Sequence, residues 1–248
     1  MIIQKKHPVY KFPKIITNDA LLVITDYNML PEALEESWFF DFTDNYLIYD
    51  KAHRFEPSDK IIHQKNVGAN VYDIFDYITN NYYNLPEVII FCKGNVIPRH
   101  CGFLKFIKII NNQTFTPIEN YIREAPQFTN GCSGFVTEDT DEYYEHISIV
   151  NGQVNGQFGY RYVSTYQDLM FSIFENPILY EYTRFAPGCN YIFNKQDILR
   201  YNLNFYNTMK MYCSWSKQPG EAYLLERAMY ALYNNDFKIN SLYTPNYN

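Results

Sequence analysis

Lys93, Gly94, Asn95 and His100 follow directly on an apolar run at residues 88–91, too short for a helix and too uniform for a half-exposed strand. That is how a parallel strand covered on both faces looks, and in such sheets ligands sit beyond the carboxyl ends of the strands. Cys92, Lys93, Gly94, Asn95 and His100 are therefore expected to line a site. Two further strand ends carry groups of the same kind. Asp26, Tyr27 and Asn28 follow an apolar run at residues 20–25, and Asp50 and Lys51 follow one at residues 46–49. A carboxylate there can accept hydrogen bonds from a ligand and an aromatic ring can stack on it; an ordinary strand-to-loop turn with Asx chemistry explains Asp26 or Asp50 equally well. Asn66 and Gly68 shape a turn into a helix whose N-terminal amides can meet a phosphate.

The elements that must position these groups are legible around them. Gly68 supplies a position free of Cβ strain, and Val71, Ile74, Phe75 and Ile78 then recur at helical spacing on one face. Pro86 resets the chain before the strand at 88–91. Residues 32–39 read as a short helix, 60–64 as a third strand, and 98–110 as a helix. Residues 111–163 turn loop-like and strand-like, a strand ends at 190–192, and helices cover 195–211 and 220–233. Strand and helix alternate, which predicts an α/β fold with a mostly parallel central sheet flanked by helices and right-handed crossovers.

The 248 residues show no linker-like stretch, so one domain is expected. Apolar residues make up 47% and aromatics 19%, enough for a large core; the surplus of Tyr and Asn matches AT-rich codon usage. A net charge of −6 argues against a nucleic-acid surface, which needs clustered Lys and Arg, and the basic start KKHPVYKFPK reads as a solvated arm. No apolar run reaches transmembrane length and none marks a signal segment. Five scattered cysteines without C-x-x-C fit a reducing compartment, so a soluble, cytoplasmic protein is expected. Cys132, Cys189 and Cys213 have no evident His partner, and G-x-S-x-G, P-loop and G-x-G-x-x-G patterns are missing, which disfavours Ser or Cys nucleophiles, kinases and Rossmann dehydrogenases.

Three segments carry a resemblance. The order N-V-G, helix, N-L-P-x-V-x-x-F, x-x-G and a following His is similar to a family of uncharacterised, glycosyltransferase-like proteins of the GT-A type, with N-V-G-R-E before a helix and a strand ending in F-L-Q-G. LLVITDYNML, Trp38 and YLIYDK resemble that family's opening, and FAPGCNYIFNKQDILR with GEAYLLERAMYALY resembles its closing Y-x-L-E-R pattern. The matched pieces fall in family order over most of residues 20–234. The resemblance implies a single GT-A-like domain, with a donor half at about 18–110 and an acceptor half at about 111–234. It implies a transferase that moves sugar from a UDP- or GDP-linked donor to a hydroxyl of a glycan or glycoconjugate; a non-catalytic glycan-binding or assembly protein of the same fold is the alternative.

On that resemblance Asp26, Tyr27 and Asn28 would meet the nucleotide base and ribose, while Asn70 stands where the family more often carries an acid. Such transferases usually neutralise the diphosphate with Mn²⁺ or Mg²⁺ held by a D-x-D at a strand end. Here Lys93-Gly94-Asn95 holds that place. Either cations such as Lys93, Arg99 or His100 stabilise the diphosphate, or metal binds elsewhere, or the site is catalytically silent. A literal D-x-D occurs at Asp139 and Asp141, with His146 close behind, although acidic clusters of this kind are mostly solvated loops. The base of an inverting transfer must be a carboxylate. Glu221, at a helix start after Pro219-Gly220, is preferred slightly over Glu226, a mid-helix Glu beside Arg227 for which a structural role is common.

Overall fold

A computed structural model describes residues 14–16, 20–119, 134–137, 140, 142–147 and 158–245. Its strands are β1 (Ala20–Asp26), β2 (Tyr46–Asp50), β3 (Ile61–His63), β4 (Val88–Lys93), β5 (Thr116–Pro117), β6 (Gly134–Val136), β7 (Tyr143–His146), β8 (Tyr182–Arg184) and β9 (Tyr191–Asn194). The helices are α1 (Ala69–Asn81), α2 (Val96–Arg99), α3 (Phe103–Ile109), α4 (Tyr166–Ile173), α5 (Lys195–Leu199), α6 (Leu203–Cys213) and α7 (Gly220–Tyr233).

The central sheet runs β3-β2-β1-β4-β9-β5. Its first four strands are parallel, as expected from their apolar runs. The strand ending near residue 192 is the exception within the expected mostly parallel sheet: β9 is antiparallel to β4 and to β5. The fold is thus mixed α/β with a mostly parallel central sheet. A smaller antiparallel sheet, β6-β7-β8, stands beside it.

Both faces of the central sheet are buried, which is why its strands lack alternation. Val23, Ile89 and Phe91 face α1, α4, α6 and α7, where Ile74, Phe75, Phe205, Met209 and Leu225 are buried. Leu22, Ile24, Ile48 and Ile90 face the other way, onto Phe39, Phe42 and Phe106.

Local differences have local causes. Residues 32–39 form two 3₁₀ turns, Leu34–Glu36 and Trp38–Asp41, in place of one helix. The expected helix over 195–211 is two helices, because Asn202 accepts a hydrogen bond from the Phe205 amide and starts α6 afresh. Similarly, residues 98–110 divide into the kinked α2 and α3. No helix among the described residues is long and apolar enough to cross a membrane.

Candidate active site

Chain reversal in the order 3-2-1-4 places β1 and β4 side by side at the point where successive connections leave in opposite directions. A crevice opens outside the carboxyl ends at such a point. Asp26 closes β1, and Lys93 and Gly94 close β4.

Asp26 is fully buried and its two oxygens are occupied by the protein. Oδ1 accepts from the amides of Met29, at 2.9 Å, and Leu30, at 2.8 Å; Oδ2 accepts from Arg54 at 2.7 Å. The structure therefore has the Asx turn at this position, and only Tyr27 and Asn28 of the expected trio are exposed. The Tyr27 ring lies 4.9 Å from the Lys217 ammonium. Asp50 is likewise a buried turn residue, accepting from the amides of Ala52 at 3.0 Å and Phe55 at 2.8 Å. Gly94 lets these strand ends approach: a Cβ there would stand 2.8 Å from Asp26 Oδ1.

Lys51 is another expected ligand group that points inward. Its ammonium donates to the carbonyls of Val67, at 2.8 Å, and Ala69, and pairs with the buried Asp73 at 3.1 Å. Burial pushes the Lys51 pKa down and the Asp73 carboxyl up to about 7, while each partner's charge opposes the other's shift. This bolt holds the turn before α1, where Gly68 and Ala69 have φ of 60° and 49°. At Gly68 a Cβ would lie 2.5 Å from the Cys213 carbonyl oxygen, so the turn demands glycine both for its dihedral and for space. Asn66 is half-buried beside this turn.

A cavity of about 150 Å³ opens where α1, β4 and α7 converge, lined by Asn70, Lys93, Phe158, Pro219, Tyr223 and Glu226 among others. Asn70, far from being a spare position, donates from Nδ2 to the Gly188 carbonyl. The Gly188 amide in turn donates to Glu226 Oε1 at 2.5 Å. Gly188 has φ of 85°, and a Cβ on it would press within 3.1 Å of the Lys93 side chain. The tight Pro187–Asn190 turn thereby seats Lys93, and Asn190 fixes the strand end by accepting from the Lys93 amide at 2.8 Å.

Glu226 is thus on the cavity wall. Its Oε2 pairs with Arg227 at 2.5 Å, and Arg227 reaches on to the buried Glu145 of β7 at 3.0 Å. Burial favours the neutral acid, but Arg227, Lys93, the Gly188 amide and His100 together hold the carboxyl below the usual range. Glu221 is elsewhere. It is fully buried, and accepts from the amides of Arg161 at 2.6 Å and Tyr162 at 2.7 Å and from the Trp215 indole at 3.2 Å. Glu221 ties the 160–162 segment to the start of α7, whereas Glu226 faces the cavity.

His100 and Asn95 lie just past β4. The His100 ring is buried with neither nitrogen hydrogen-bonded, and the Asn95 side-chain oxygen is also buried without a partner. Burial, with Lys93 and Arg99 adding to it and Glu226 opposing, pushes His100 down to about 4. Since the unfolded His binds its proton near 6.5, acid favours unfolding as pH falls from about 6.5 toward 4. Between pH 7 and pH 4.5 the wild type should lose about 2–3 kcal/mol more stability than His100→Gln, measured by urea unfolding at each pH. Equal losses would show that His100 is solvated and titrates normally.

Asp139 and Asp141 lie outside the described residues. His146 pairs with Glu181 at 2.9 Å on the smaller sheet. Among the described residues no group of three or more His, Cys, Asp and Glu side chains could hold a metal ion. Cys92, Cys101, Cys189 and Cys213 are free and buried, and burial raises each thiol's pKa.

In comparisons with protein-family models, curated proteins and solved structures, nothing matches this chain.

Proposed function

We propose that this chain is a glycosyltransferase with a GT-A-like fold, moving a sugar from a UDP- or GDP-linked donor to a hydroxyl of a glycan or glycoconjugate. The observation that carries the reading is the pairing of Lys93 and Glu226 in one cavity outside the carboxyl ends of the strands at the switch point. The 3-2-1-4 order with one antiparallel neighbour, and the N-V-G turn, L-E-R and strand-end Gly that carry the family resemblance, support it.

In this mechanism Lys93 faces the diphosphate and stabilises the charge that grows as the sugar leaves. Glu226, held ionised, accepts the proton of the acceptor hydroxyl as the new glycosidic bond forms. At about 150 Å³ the cavity suits the reacting end of the donor, and the base and ribose would lie toward exposed Tyr27 and Lys217. The strand-end residues do not suit a divalent metal: Lys93-Gly94-Asn95 offers no carboxylate, and the oxygens of Asp26 and Asp50 already accept from protein donors. No step is therefore assigned to one.

UDP or GDP should raise the melting temperature by mass action, by about 2.7 kcal/mol of stability at a hundredfold excess over Kd. Lys93→Ala should remove most of that shift, and exchanging Mn²⁺ for chelator should leave it unchanged. A full shift in Lys93→Ala would take the diphosphate away from β4. The missing strand-end carboxylate also favours a second reading, a non-catalytic glycan-binding or assembly protein, for which nucleotide would bind without any donor turnover.

A further inference from the structure

A second, larger cavity of about 410 Å³ lies between the small sheet, α4 and the carboxyl end of α7. One face of that sheet is built from aromatic rings. Strand pairing sets Phe135 opposite Tyr144, Tyr144 opposite Arg184 and His146 opposite Tyr182. The Phe135 and Tyr144 rings stack at 5.3 Å and 8°, and Tyr182 meets Phe135 edge-on at 5.2 Å. Tyr143 and Glu145 alternate to the opposite, buried face.

The floor of the cavity needs no polar partner from a ligand. Arg184 is spent on Glu119 at 2.5 Å, Glu142 at 2.7 Å and the Tyr230 hydroxyl at 3.2 Å. Tyr166 is bonded to Thr183 at 3.1 Å. What the floor offers is ring faces and hydrocarbon. The rim is different: Tyr180 is 67% exposed and Tyr182 36% exposed, beside a Glu181 carboxylate paired with His146 and an Asn234 amide that donates to the Tyr230 hydroxyl at 2.6 Å. A ligand matched to this site has a flat C–H face for the rings and hydroxyls along its edge for the rim. A pyranose has that shape and can hydrogen-bond the Tyr180 and Tyr182 hydroxyls, whereas an acyl chain offers them no partner; Glu181 already pairs with His146 at 2.9 Å.

We propose that this aromatic cavity is a carbohydrate-binding site, taking a pyranose unit of an oligosaccharide and separate from the strand-end cavity. Helix α7 lines both sites with one stripe of side chains, Ala222 and Glu226 at the first and Tyr230 at the second, with Asn234 just past its end. Four residues from Glu226 to Tyr230 are about 6 Å along the helix axis, so the sites are neighbours along one edge. Binding at the aromatic cavity requires no transfer chemistry and stands apart from it.

The test is saturation-transfer NMR and titration of the full chain with chitohexaose, cellohexaose, maltohexaose and mannohexaose. At least one should bind, with saturation on ring C–H protons. Tyr182→Ala and Tyr180→Ala, both at exposed positions, should each weaken it about tenfold or more, Tyr182→Phe should keep most of the affinity, and Lys93→Ala should bind as the wild type does. The proposal falls if none of the four binds, if both alanine variants bind unchanged, or if Lys93→Ala abolishes binding, which would assign the sugar to the strand-end cavity. Saturable palmitate binding that Tyr182→Ala removes, with no hexasaccharide bound, would also overturn it.

Discussion

Glu226→Gln is expected to slow the chemical step of transfer about a hundredfold to ten-thousandfold while nucleotide binding barely changes. The amide keeps the shape of the side chain and can still accept from the Gly188 amide, but it cannot take up a proton. Glu221→Gln should give the opposite pattern. Its carboxylate accepts three protein donors in a buried place, so the change should cost about 1–3 kcal/mol of stability and leave the rate per folded molecule near wild type. Single-turnover transfer measured beside thermal melts separates the two. An active Glu226→Gln with a dead, stable Glu221→Gln would return the base to the start of α7.

Lys51→Ala should be among the most destabilising single changes, at about 3–5 kcal/mol. It leaves Asp73 buried without its cation and takes a donor from the Val67 and Ala69 carbonyls. The pH dependence has a definite sign. Burial raises the Asp73 pKa in the folded state, so the folded variant holds a proton that the unfolded chain releases, and stability falls as pH rises through the folded value. Urea unfolding should show the variant losing more stability than wild type between pH 5 and pH 8, and Lys51→Met with Asp73→Leu should recover most of the loss. A Lys51→Ala protein as stable as wild type at every pH would mean that the bolt carries no energy. Because Ala69 lines the strand-end cavity, nucleotide binding should weaken along with the turn.

The strands and α1 were readable because burial on both faces of a sheet leaves an unbroken apolar run, and Val71, Ile74, Phe75 and Ile78 keep the helical period. The direction of β9 was not readable, since it depends on which strand β9 meets, and that is decided by distant packing. Helix α4 also has a local signal in the sequence: Tyr166, Leu169, Met170 and Ile173 recur at helical spacing behind a Thr165 cap. At the site, strand ends located the crevice and Lys93, but not which carboxylates face it. Asp26, Asp50 and Glu221 stand where ligand groups belong, yet loop amides close over all three. Those amides come in part from residues 59 and 60 positions away from Glu221, a distance over which no local pattern speaks. The Asn70–Gly188–Glu226 chain of contacts is equally non-local.

The most direct measurement is the release of nucleoside diphosphate from a panel of UDP- and GDP-sugars, followed with and without oligosaccharide acceptors, for wild type, Lys93→Ala and Glu226→Gln side by side. The proposed mechanism predicts release from at least one donor, accelerated by an acceptor, and nearly lost in both variants while both remain folded. Nucleotide binding with no release from any donor, or turnover that both variants retain, would contradict it.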